Sequence, residues 1–130
     1  MLLFGTFDGL HPGHRFVMDE ALRRGDVTVV VARDATVERL KGRTPIDGQE
    51  ERMRALREAY PGVAVLLGDP QDFLAPVRAA RPDIIVLGYD QRLPPGVDAA
   101  DFPCPVERLP AFHPELYKSS ALRPRGGTAA

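Results

Sequence analysis

Cysteine is nearly absent from this 130-residue chain. Cys104 is the sole example, so no internal disulfide can form and a reducing cytoplasm is the expected setting. It lies between Pro103 and Pro105 with no base nearby in sequence, which argues against a nucleophilic thiol. An excess of one charge is missing too. Seventeen Lys and Arg against 18 Asp and Glu leave a formal net charge of −1, so neither a general nucleic-acid surface nor a membrane surface is expected. Any anion binding must then be local. No apolar run approaches the length of a membrane span, and Met1-Leu2-Leu3 lacks the charged start of a signal peptide. There are no internal repeats, and low complexity is confined to the tail. What remains is 44% hydrophobic and 27% charged, the composition of a soluble globular protein, and the length suits one domain with a self-supporting core.

The chain is organised around its first fifteen residues. An apolar strand of four residues runs into Gly5, a small polar bend follows, and a helix is expected from residue 14. Strand, glycine-rich turn and helix together make a phosphate site, because glycine lets the backbone approach an anion and the first-turn N–H groups point at it. His11 and His14 bracket that helix start, and each can offer a phosphate oxygen a hydrogen bond or a positive charge. Capping or surface histidines are the plainer alternative, weakened by finding two of them around Gly13 directly after a strand.

Further along, Val17, Met18, Ala21 and Leu22 mark the buried stripe of a helix over 14–24, and the β-branched run 27–32 reads as a buried parallel strand. The polar stretch 33–48, with Gly42, Pro45 and Gly48, is expected to be a mobile loop carrying Lys41 and Arg43. Asp47 or a neighbour is expected to cap a helix over 49–60 whose apolar face is Met53, Leu56 and Ala59. A third strand over 63–67, a helix opened by Asp69 or Asp72 with Pro76 in its first turn, and a fourth strand over 83–88 follow. Residues 92–103 read as loop, and 106–109 as a short fifth strand. The expected fold is α/β: a single Rossmann-like, doubly wound, parallel five-stranded sheet in residues 1–122, with 123–130 a flexible tail. If the strand order is 3-2-1-4-5, the motif after strand one and Gly88-Tyr89-Asp90-Gln91 after strand four flank one crevice, where such sheets bind ligands.

Gly5-Thr6-Phe7-Asp8-Gly9-Leu10-His11-Pro12-Gly13-His14 resembles the GTFDxLHxGH signature of the cytidylyltransferase-like nucleotidyltransferases. Those enzymes join a nucleoside triphosphate to a phosphate-bearing acceptor and release pyrophosphate. Lys41-Gly42-Arg43, Leu67-Gly68-Asp69, Leu87-Gly88-Tyr89-Asp90-Gln91 and Tyr117-Lys118-Ser119-Ser120 narrow the resemblance to the archaeal-type FAD synthetases, which are FMN adenylyltransferases. The likeness covers residues 2–122. It implies AMP transfer from ATP to FMN, with Mg²⁺ carried mainly on the nucleotide phosphates and no directly bound metal. It also implies a homodimer. Two alternatives stay open: a cytidylyltransferase using CTP and glycerol 3-phosphate or a similar acceptor, and a nucleotide-binding sensor without catalysis.

The resemblance assigns His14 to the α-phosphate and His11 to the phosphates. It places Gly5, Thr6, Phe7, Pro12 and Gly13 against the nucleotide. Asp8 either approaches the metal–phosphate complex or caps the turn. Lys41 joins the histidines as a catalytic cation if its loop closes, with Arg43 over the outer phosphates; a solvated loop is the alternative. Arg52 is either an arginine facing the site or an exposed helix charge. Gly88 and Asp90 are expected at the ribose or base, and Tyr117, Ser119 and Ser120 at the nucleotide, with the serines alternatively capping a final turn. Lys118 beside them favours phosphate or acceptor.

Overall fold

The computed structural model describes residues 1–88 and 91–110. Five strands form one parallel sheet in the order β3-β2-β1-β4-β5. They are β1 (Leu2–Gly5), β2 (Thr28–Val31), β3 (Ala64–Leu67), β4 (Ile85–Leu87) and β5 (Val106–Arg108). The helices are α1 (Pro12–Arg24), α2 (Asp34–Lys41), α3 (Gln49–Ala59) and α4 (Ala75–Ala80), with a 3₁₀ turn at Ala99–Asp101. The expected doubly wound order is therefore the observed one, and β1 and β4 are neighbours at its switch point.

Strand alternation divides the core between the two faces of the sheet. Leu3, Val29, Val31 and Val86 point to the side covered by Met18 and Ala21 of α1 and by Met53 and Leu56 of α3. Leu2, Phe4, Val30, Ile85 and Leu87 point to the other side, against Val77 of α4 and Phe102. Adjacent residues of one strand face opposite ways, so strands buried on both faces need continuous apolar runs, and β1, β2 and β4 supply them. Cys104 packs at the margin of the second cluster, where burial pushes its thiol up.

Several boundaries differ from expectation. Helix α1 begins at Pro12 rather than residue 14, because His11 caps it. Leu22 is 38% exposed and not part of the buried stripe. The stretch 33–48 is not a loop throughout, because α2 occupies half of it. Val37 anchors that helix in the core, Asp34 sits in its first turn, Arg39 and Lys41 in its last, and the Gly42 N–H closes it on the Glu38 carbonyl. An eight-residue helix with one fully buried apolar side chain shows too little periodicity to be read from sequence. The cap position of α3 falls to Gly48, the neighbour of Asp47, within the expected pair but with no side-chain cap bond, and Ala59 is exposed rather than part of the apolar face. Asp69 accepts from the Gln71 and Asp72 amides and Asp72 from the Leu74 amide, making a turn before α4 rather than its cap. The expected tail and the 117–120 segment lie outside the described residues.

Leu3 lies on the central strand and is 1% exposed. Leu3→Ala is expected to cost about 2–5 kcal/mol of unfolding free energy, read from the urea midpoint with an unchanged denaturant slope.

Candidate active site

The carboxyl ends of the strands open into one cleft of about 1080 Å³. Gly5, Thr6 and Phe7 leave β1 at its centre, and His11, Gly13 and His14 stand on the α1 side. Arg39, Leu40 and Lys41 of α2 form a second wall, with Gly68, Asp69 and Phe73 beyond β3, and Gly88 and Gln91 beyond β4.

The turn after β1 has a tightly determined shape. Phe7 is 4% exposed and adopts a left-handed backbone, φ 53°, which a non-glycine residue holds only when its surroundings enforce it. Its ring lies so close over Gly5 that a Cβ there would come within 2.5 Å of Phe7 Cε2. The same ring supports His14, with centroids 5.2 Å apart, and His14 stacks on His11 at 3.6 Å and 21°.

The two histidines form a capping box. His11 Nδ1 accepts from the Gly13 N–H (3.1 Å) and the His14 N–H (3.4 Å), while His14 Nδ1 accepts from the His11 N–H (3.4 Å). An Nδ1 that accepts carries no proton, so Nε2 is the proton-bearing atom of each ring. Gly13 makes the fold-back possible: a Cβ there would meet His11 Cε1 at 3.0 Å. This arrangement corrects one expectation. The first-turn amides of α1 do not face the cleft bare, because Pro12 has none and those of Gly13 and His14 bond to His11. Burial, foremost, with neighbouring His11 and Lys41, pushes His14 from 6.5 down to about 4, outweighing a hydrogen bond with the Gly9 backbone and the Asp8 charge. At neutral pH His14 is therefore a neutral donor.

Opposite this pair, Lys41 ends α2 rather than riding a loop, and its Nζ donates to Thr6 Oγ1 at 3.0 Å. Burial, then the Arg43 charge, lowers its ammonium below the usual lysine value, partly opposed by Asp8. Arg43 is exposed just after it. Asp8 does not cap its own turn; it holds the segment just before α3. Its two oxygens accept from the Ile46 N–H (2.7 Å) and the Asp47 N–H (2.9 Å). The Asp47 bond is the main reason its carboxyl lies below 3.8.

Arg52 departs from both readings of the sequence, for its side chain is neither in the cleft nor on the surface. The side chain has 0% exposure. Nε donates to the Asp47 carbonyl (3.0 Å), Nη1 to the Thr6 carbonyl (2.8 Å) and Nη2 to Asp34 Oδ1 (2.7 Å). One guanidinium thus joins α3, the segment before it, the exit of β1 and the start of α2. Gln49 adds a second tie, accepting from the Asp34 N–H at 2.9 Å.

Gly88 lies in the cleft as expected, while Asp90, Tyr117, Lys118, Ser119 and Ser120 lie outside the described residues. Sequence reasoning missed the part played by Gln91 and Arg108 around Gly88. Gln91 Oε1 accepts from the Gly88 N–H (3.0 Å), and Arg108 Nη1 donates to the Gly88 and Gln91 carbonyls (2.8 and 2.7 Å). It also missed Arg33, whose Nε donates to the Gly68 carbonyl at 2.5 Å. Among the described residues no group of three or more His, Cys, Asp or Glu side chains is placed to hold a metal ion, and no helix is long and apolar enough to cross a membrane.

Comparison with known proteins places this geometry in context. The family model described as cytidylyltransferase-like matches residues 2–123. An FAD synthase of Methanoculleus marisnigri is 38% identical over 129 residues, 91% of this chain and 82% of that protein. An FAD synthase of Methanopyrus kandleri is 45% identical over 95 residues, 70% of this chain and 63% of that protein, so the chain spans less than two thirds of this relative. A solved structure, the lipopolysaccharide core biosynthesis protein of Thermoplasma volcanium GSS1, superposes with a TM-score of 0.75 at 31% identity, covering 86% of this chain and 96% of that one.

Two outcomes follow from the site. Arg52→Ala leaves two part-buried carbonyls without their donor and Asp34 without its cation. It is expected to destabilise by about 2–4 kcal/mol in chemical denaturation, with Arg52→Lys recovering only part because the fixed fork is lost. For His14, the folded value of about 4 lies below the unfolded 6.5. Its contribution to stability is complete above pH 6.5 and falls away between 6.5 and 4, where only the unfolded chain takes up the proton. Urea midpoints measured across that window should fall more steeply for the parent than for His14→Asn.

Proposed function

Because the chain belongs to the cytidylyltransferase-like family, we propose that it is a nucleotidyltransferase that moves AMP from ATP to FMN, forming FAD and releasing pyrophosphate. The observation that carries this reading is the stacked His11–His14 pair at the N-terminus of α1, with both ring protons on Nε2 and Lys41 across the cleft. The names of the archaeal relatives support FMN as acceptor and ATP as donor.

The chemistry asks little covalent work of the protein. A phosphate oxygen of the acceptor attacks the α-phosphorus in line, the bond from that phosphorus to the bridging oxygen breaks, and the electron pair leaves with pyrophosphate. Negative charge grows on the α-phosphoryl oxygens and on the leaving group. His14 answers it with a neutral N–H donor and His11 with a ring N–H, the positive pole of α1 adds its field, and Lys41 adds a mobile cation that exchanges its Thr6 partner for phosphate. A neutral imidazole at His14 suits this task, since a donor held in place strengthens as charge develops without needing a proton from solvent. Arg43, exposed just after Lys41, is assigned to the outer phosphates in this reading.

Asp8, the carboxylate of the motif, is engaged by two backbone amides. Magnesium accompanying the triphosphate would be held by phosphate oxygens, where it neutralises leaving-group charge. The nucleoside is assigned to the β1–β4 crevice at Gly5, Thr6, Phe7 and Gly88, with Asp90, Tyr117, Ser119 and Ser120 as further contacts and Lys118 on the phosphate side. The acceptor is assigned to the flank formed by Arg39, Leu40, Phe73, Leu93 and Pro94, whose apolar surface suits a flat flavin ring.

The test is pyrophosphate release with Mg²⁺, crossing ATP and CTP against FMN, glycerol 3-phosphate and phosphopantetheine. Release is expected with ATP and FMN, and His14→Ala should slow it by about a hundredfold or more. Release only with CTP or another acceptor would move the substrate and keep the chemistry. Nucleotide binding with no release in any combination would sink the transferase reading in favour of a sensor.

A further inference from the structure

We propose that Gln91 is a specificity-determining positioning residue whose carboxamide replaces one backbone rung of the sheet and so sets the width of the nucleotide crevice. The inference rests on the nucleotidyltransferase reading for the identity of the ligand. The β1–β4 ladder begins with the Leu2 N–H donating to the Ile84 carbonyl at 2.9 Å and pairs Leu3 with Val86. A parallel ladder advances by two residues per rung, so the last rung due at this edge joins the Gly88 N–H to the Phe4 carbonyl. That bond is not made. Gln91 stands between the two groups instead: Oε1 accepts from Gly88 N–H at 3.0 Å and Nε2 donates to the Phe4 carbonyl at 2.9 Å.

A primary carboxamide carries the same donor and acceptor as a peptide unit, so it satisfies both backbone groups while holding them an amide's width apart. The strands therefore part at the switch point without leaving a polar group unpaired. Gln91 is itself fixed from behind, since its N–H donates to the Gly88 carbonyl (3.2 Å) and Arg108 Nη1 joins its carbonyl to that of Gly88. Phe4, Gly88 and Gln91 all line the cleft, so the separation is passed directly to its floor. In a doubly wound sheet this floor lies under the nucleoside, so its width bears on the choice between a purine and a pyrimidine.

The experiment compares ATP and CTP dissociation constants for the parent, Gln91→Met and Gln91→Glu by calorimetry, with Val27→Ala in the core on the other face of the sheet as a control for lost stability. Methionine keeps the length without either hydrogen bond, and glutamate turns an acceptor toward the Phe4 carbonyl. Both are expected to weaken ATP binding by about tenfold and to narrow the ATP-to-CTP ratio, with the KM for the acceptor unchanged. Val27→Ala should lower the melting temperature and leave both dissociation constants within about twofold. If the Gln91 variants keep both constants and their ratio within about twofold, Gln91 merely supports the fold and the inference is overturned. A parent that binds ATP but transfers nothing defeats the transferase reading while leaving this comparison intact. A parent that binds neither nucleotide overturns the inference as well.

Discussion

The buried guanidinium of Arg52 is the tie on which the geometry of the candidate site depends. A fully desolvated cation is tolerated only when its donors are matched, and here they meet two carbonyls and one carboxylate on three different segments. Through Thr6 it fixes where the chain leaves β1, and through Asp34 it fixes where α2 starts. The orientation of α2 then decides where Lys41 arrives. Asp8 closes the loop from the other direction, since it holds the amides of Ile46 and Asp47 just before α3. The site is thus a closed circuit of polar contacts between one buried cation and the turn after β1. Such a circuit resists small displacements, because moving any one segment leaves a buried group unpaired.

The anion recognition proposed for this circuit is local, in keeping with the net charge of −1. It would draw on three sources of different range. The pole of α1 acts along the helix axis, the imidazole protons act at contact distance, and Lys41 acts as a point charge able to change partners. The capping box means that α1 satisfies its own first-turn amides and presents ring edges instead. Glycine at position 13 and proline at 12 follow from that geometry: one leaves room for the imidazole, and the other removes an amide that would lack a partner.

The sheet contributes through its switch point. Strands that face apolar layers on both sides cannot end in unpaired polar groups without cost. The opening between β1 and β4 is therefore lined by substitutes for backbone pairing, with Gln91 between Phe4 and Gly88 and Arg108 behind them. Arg33 does related work at the far side, reaching from the end of β2 to the Gly68 carbonyl beyond β3. Side chains that complete a sheet edge in this way serve packing and the shape of the cleft at once.

The sequence by itself determined what depends on neighbours a few residues apart. The apolar runs named the first four strands, the order of elements implied the parallel doubly wound sheet, and residues 5–14 marked the candidate site, because capping, stacking and turn formation there involve positions close in the chain. It did not determine α2, whose short polar pattern is held in place by Val37 and by ties to α3. Nor did it separate a buried arginine from one facing the cleft, since Arg52 meets Thr6 across 46 residues. Gln91 reaches Phe4 across 87, and no local pattern announces that its side chain will stand in for a peptide. Hydrogen bonds between segments distant in sequence exist only once the layers have packed, so those roles belong to the tertiary structure alone.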